Sequence, residues 1–175
     1  MIYPIAQILL VTILALAFYW WRRNLKLRNE QSWEQLIARL RTDWSAHALS
    51  EHFLWRTEMK LAPEEAWSKL QGPRGLIIIY QNANVMLQIA DYAVRNSSEQ
   101  HPVDPMLIAA LRSDAMQIRL LVIAALAQYA LLRATAGVRI NAQRAAAVYT
   151  DMAARMTSLL QVHAAAKLPD FVGAM

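Results

Sequence analysis

From Ile2 to Trp21 the chain is apolar almost without a break. Only Gln7 and Thr12 interrupt the run, and the basic cluster Arg22, Arg23, Lys26 and Arg28 closes it. Twenty helical residues rise about 30 Å, the thickness of a bilayer's hydrocarbon core. The pattern predicts a transmembrane anchor over 1–21 and a basic juxtamembrane segment over 22–29. A cleaved signal peptide would carry basic residues before the apolar stretch and small residues at its exit. Here only Met1 precedes the run, and it exits through Phe18, Tyr19, Trp20 and Trp21. Aromatic rings of this kind suit the headgroup level, so Tyr19, Trp20, Trp21, Arg22, Arg23, Lys26 and Arg28 are the expected membrane-interface residues. Basic residues after the span and none before it place the N-terminus outside and the C-terminal domain in the cytoplasm. A buried core helix is the alternative, but the run is too long and too uniformly apolar for a one-sided helix.

Beyond the anchor, apolar positions return with helical spacing. Residues 30–72 read as short amphipathic helices. In the first, Glu30 to about Trp44, Trp33, Leu36, Ile37, Leu40 and Trp44 share one face. Ser45 is a candidate N-cap for a segment to about Leu61, and Pro63 with Glu64 and Glu65 reads as a first helical turn. That helix stops at Gly72-Pro73-Arg74-Gly75.

Residues 73–168 read as a bundle of three long helices, followed by a C-terminal tail over 169–175. The first, from about Arg74 to Asn96, repeats Leu76, Tyr80, Ala83, Leu87, Ala90 and Val94 at alternating spacings of four and three. The second opens with Asp104-Pro105 as N-cap and first turn and runs to about Ala136, with Gly137 as its stop. Its seam is Ile108, Leu111, Ala115, Ile118, Val122, Ala125, Tyr129 and Leu132. The third, from about Arg139 to Lys167, carries Ala145, Tyr149, Met152, Met156, Leu159 and His163 on one side. Matched seams with short or moderate loops predict an antiparallel bundle. The expected fold class is therefore all-α, a single N-terminal transmembrane helix followed by three long helices and two or three shorter ones. Leu120 to Leu132 is apolar apart from Gln128 and Tyr129. At about 20 Å it is short for a bilayer, and it reads as a buried bundle helix, the alternatives being a domain lying partly in the membrane surface or a hairpin with the equally apolar run Leu76-Ile77-Ile78-Ile79-Tyr80.

Composition then narrows the function. The net charge of +5 suggests nucleic acid until it is mapped, because residues 22–28 hold four of the positive charges and no acid. No basic stripe and no interleaving of aromatic and basic residues marks the rest, so no nucleic-acid partner is expected. The chain has no Cys, which removes disulfides, thiol nucleophiles and thiolate metal sites. His47 and His52 stand five apart and off a shared helical face, and His163 ends an apolar seam. Asp91, Asp114 and Asp151 fall on separate helices, and the four glycines sit at stops or near the C-terminus rather than in a phosphate loop. The expectation is a chain with no catalytic residue, no cofactor and no metal, and not an enzyme.

Two features point to interactions instead. The polar stripe Gln81, Asn84, Gln88, Asp91 and Arg95 runs beside the apolar seam of the first long helix. It reads as a solvated face or as a strip contacting a partner, since amides at such positions fix register and partner choice. Trp33, Trp44, Trp55 and Trp67 all lie between anchor and bundle, where they pack short helices on the bundle or form a membrane-proximal surface. Together these features suggest a membrane-anchored interaction or scaffold module, whose partners are the lipid bilayer and another protein or further copies of the chain. The alternative is a bundle that holds a small apolar ligand or lipid near Tyr149, Met152 and Met156.

Overall fold

Proline starts three of the helices, at Pro63, Pro73 and Pro105, where the first turn needs no N–H and the fixed φ is already helical. The computed structural model describes residues 32–41, 62–97, 103–133 and 135–174. Among these lie α1 (Trp33–Ile37), α2 (Pro63–Lys69), α3 (Pro73–Asn96), α4 (Pro105–Leu132) and α5 (Ala136–His163), then a 3₁₀ turn (Ala165–Lys167) and α6 (Leu168–Gly173). They belong to one unit, Trp33–Met175. The fold is an all-α bundle of three long packed helices, α3, α4 and α5. The anchor at 1–21, the basic segment at 22–29, the segment from Ser45 to Leu61, and Trp44, Trp55, His47, His52 and His101 lie outside the described residues.

Side-chain bonds set the register. Going up α4 from Asp114 to Gln128, the partner on α5 goes down from Arg155 to Asn141. On its other side, the partner of α4 moves from Asp91 to Asn84 as Arg112 gives way to Arg119. Both neighbours of α4 therefore run antiparallel to it. α5 also carries α2, while α1 packs on α3.

The core forms where the three helices face one another. Ile79, Met86 and Ile89 of α3 meet Leu111, Ile118 and Val122 of α4 and Met152, Met156 and Leu159 of α5, all almost completely buried. Each such side chain contributes about 1.5–3 kcal/mol by leaving water. On α5 the expected seam is the buried one from Ala145 to Leu159, with His163 half-buried. On α3 the buried face is centred elsewhere. Leu76, Ala83 and Ala90 are inside, Tyr80 and Leu87 are half-buried, and Val94 is 41% exposed. The centre moves to Ile79, Asn82, Met86 and Ile89 because α3 is covered by α1 as well as by α4 and α5.

Helix ends depart from the expected ones. α4 stops at Leu132, and Arg133 caps it at φ 62°. α5 begins at Ala136, so Gly137 stands in its first turn rather than past the end of α4, where a Cβ would lie 3.4 Å from the Gln128 side-chain oxygen. α1 covers only Trp33–Ile37, with a turn over residues 38–40. Past α5 the chain is helical again, and Phe171 of α6 enters the core. Gly72 does act as a stop, at φ 67° under the Trp67 ring. Gly75 is needed for another reason: a Cβ there would lie 2.1 Å from the Leu70 carbonyl oxygen, where the end of α2 crosses the start of α3.

Candidate interaction surface

The polar stripe of α3 is the first surface to place. Gln88 is buried, accepting from Arg39 at 2.7 Å and donating to the Asn84 carbonyl at 3.1 Å. Asn84 accepts from Arg119 of α4 at 3.1 Å and donates back to the Tyr80 carbonyl at 2.8 Å. Asp91 pairs with Arg112 of α4 at 3.4 Å, between exposed side chains. Three of the five stripe residues thus bond to arginines of this same bundle. Arg95 is exposed near the end of α3. Gln81 lines a polar cleft of about 490 Å³ with Ala38, Arg39, Arg41, Asn84 and Val85.

Beneath that cleft, Asn82 is fully engaged. Its Oδ1 accepts from the Arg41 amide at 2.9 Å, and its Nδ2 donates to the Arg41 carbonyl and to the Tyr149 hydroxyl, each at 3.1 Å. This one amide joins α3, α5 and the chain after α1. Burial pushes the Tyr149 hydroxyl up to about 12, with the Asn82 bond acting against the rise. Nearby, the Trp33 indole donates to Asp170 at 3.1 Å with the Lys167 ammonium 5.7 Å from the ring centre. Trp67 leans on Tyr129 at 5.7 Å. Both tryptophans therefore fasten short helices to the bundle.

The three acids of the long helices do not gather into one site: Asp91 stands apart, while Asp114 and Asp151 both act on Arg155. Asp114 is buried and bonds Arg155, whose guanidinium it holds above the ordinary value, against desolvation and with help from Asp151. Asp91 is committed to Arg112. No cluster of three His, Asp or Glu side chains suited to a metal occurs among the described residues.

The second surface is the outward side of α4. Met106, Ala109, Ser113, Met116, Leu120, Ile123, Ala127 and Ala130 recur at alternating three and four, opposite the buried seam, and every one is exposed. Met116 is 55%, Leu120 63% and Ile123 58% exposed. No charged residue stands in this stripe. Ser113 within it and Gln117 beside it are its polar members. α4 is long and apolar enough to cross a membrane by length and composition, yet only 22% of that stretch is buried. The expectation of a buried helix over Leu120–Leu132 is corrected accordingly: its inner seam is buried through Ala125, whereas Leu131 and Leu132 are exposed. By contrast, in the apolar run Leu76–Tyr80 of α3, Leu76, Ile78 and Ile79 are buried, Tyr80 is half-buried and only Ile77 is exposed.

Between α4 and α5 the stripe deepens into a groove of about 440 Å³, floored by Leu120, Leu121, Ala147 and Val148, with Gln117 and Arg144 at its rim. Leu120 and Leu121 fall in the stretch for which a membrane-surface position was the alternative expectation, whereas Gln117, Arg144, Ala147 and Val148 were not expected at a surface site. Tyr149, Met152 and Met156, the expected lining of an internal ligand site, are packed into the core and line neither cleft. The interface residues Tyr19, Trp20, Trp21, Arg22, Arg23, Lys26 and Arg28 lie outside the described residues. Compared with protein families, curated proteins and solved structures, the chain gives no match.

Proposed function

We propose that this chain is a non-catalytic, membrane-anchored helical protein whose bundle serves as an interaction or scaffold module at the cytoplasmic face of the membrane. The observation that carries the reading is the exposed, uncharged outer stripe of α4. An apolar face running the length of a 28-residue helix needs a cover, since patches of this kind mark contacts with proteins or membranes. The apolar run 1–21 and its basic border supply the membrane and the orientation. An enzyme gains no support, because Asp91 and Asp114 are each taken up by an arginine. A ligand held inside the bundle gains none either, because the methionines proposed to line it fill the core themselves.

Two measurements test this. A reporter fused after Met175 is expected to be active only on the cytoplasmic side, and activity on the other side reverses the orientation. In-cell cross-linking of the whole chain, followed by gentle detergent extraction, is expected to return a discrete larger adduct. Uncrosslinked monomer alone would overturn the scaffold reading.

A further inference from the structure

Summed over 61–175 the charge is nearly balanced, but the balance hides an asymmetry. The hairpin α4–α5 holds Arg112, Arg119, Arg133, Arg139, Arg144 and Arg155 against only Asp114 and Asp151. Both acids serve Arg155, Asp114 as its bonded partner and Asp151 through its charge. Four of the six edge the apolar stripe, Arg112 of them paired with Asp91 of α3, whereas Arg139 turns to Glu64 of α2 and Arg155 to Asp114. Arg112 and Arg119 stand on the α3 side of α4, Arg133 at its C-terminal end, and Arg144 on α5 at the rim of the groove. Among the described residues, the Arg133 and Arg144 side chains have no bonding partner. An apolar band bordered by cations on both sides is the arrangement by which a helix rests in a bilayer interface, chains below and phosphates beside the guanidinium groups.

We infer that the outer stripe of α4 and the groove beside it, between Arg119 on one flank and Arg144 on the other, rest on an anionic phospholipid surface. The inference depends on the membrane-anchored reading above and names the cover that the stripe takes. A second copy of the chain is less suited to it. Antiparallel pairing through the stripe would set each helix's Arg112 and Arg119 edge against the same edge of its partner, with Asp91 the one acid beside two arginines on each. The lipid surface complements that edge instead.

The absence of Cys allows clean single-site labelling of the full chain. Met116→Cys, Leu120→Cys and, on the far side by the α3 cleft, Ala38→Cys are each labelled with an environment-sensitive fluorophore. The proteins are reconstituted in phosphatidylcholine vesicles with and without phosphatidylglycerol, and circular dichroism confirms equal helicity. Labels at 116 and 120 are expected to shift to the blue and to lose about half their emission to spin-labelled acyl chains in the anionic vesicles, while the label at 38 does not. Arg144→Glu combined with Leu120→Cys should lower the docked fraction relative to the undocked by roughly fivefold or more. If the label at 120 meets an aqueous quencher as freely as the label at 38, both this inference and the scaffold reading lose their basis. If it is shielded from water yet untouched by the acyl-chain quencher, a protein covers the stripe. That outcome overturns the lipid assignment and leaves the scaffold reading standing.

Discussion

The side-chain amide of Asn82 donates to the phenolic oxygen of Tyr149 at 3.1 Å, deep in the bundle where each residue is 1% exposed. The hydroxyl titrates at about 12 in the folded chain because burial penalises the phenolate. A free tyrosine titrates near 10, so Tyr149 contributes stability that is fully present below about pH 10 and is lost as pH rises from there toward 12. Over that window the loss is about 1.4 kcal/mol per pH unit. Urea unfolding of Tyr149→Phe should show a shallower alkaline decline than the parent, at a cost near neutrality of about 1 kcal/mol for the bond to Asn82. Equal slopes in parent and variant would contradict this.

Asn82 also holds the backbone of Arg41 at both its N–H and its carbonyl. Replacing it with Ala leaves buried polar groups without partners and should cost about 2–4 kcal/mol. Protease cleavage just after Arg41 should accelerate more than cleavage within α5. Unchanged cutting after Arg41 would mean that the segment is held by other contacts.

The ion pair of Asp114 and Arg155 is lopsided: the carboxylate is 9% exposed and the guanidinium 41%. Removing the arginine strands a buried charge, whereas removing both groups does not. Arg155→Leu should therefore destabilise by about 2 kcal/mol, less than a fully buried pair because water screens one side. Adding Asp114→Leu should recover at least half of that loss. A double-mutant cycle read by chemical denaturation checks this, and simple additivity would refute the coupling.

Gly75→Ala puts a methyl group 2.1 Å from the Leu70 carbonyl oxygen. The obstacle is backbone rather than a flexible side-chain end, so α2 and α3 must part to accept it. The variant is expected to lose about 3 kcal/mol or more. Gly173→Ala, where nothing lies within 4 Å, should be close to neutral in the same melt.

The three long helices were legible because their period and punctuation agree. Asp104 caps α4 through the Met106 amide, as its place before Pro105 suggests, and α5 buries its expected seam. The stripe from Gln81 to Arg95 was legible as a feature but not as a set of bonds. Arg39 meets Gln88 across 49 residues and Arg119 meets Asn84 across 35, and spacing within one helix carries no word of either. The centre of α3 shifted for a related reason, since a helix covered from two directions has no single seam. The outer face of α4 was hidden by its own inner seam: two apolar stripes on opposite sides read as one wholly buried helix. Summing the charge over the whole domain also concealed the arginines that border that face.

Both the scaffold function and the lipid contact require the outer stripe of α4 to be covered in the membrane. The direct measurement is labelling of Met116→Cys, Leu120→Cys and Ile123→Cys with a membrane-impermeant maleimide, in native membranes opened on the cytoplasmic side. All three positions are more than half exposed in the bundle itself. They are expected to stay unlabelled until detergent is added, while Ala38→Cys reacts at once. Labelling of all four at the same rate, before any detergent, would show a bare face and contradict both readings.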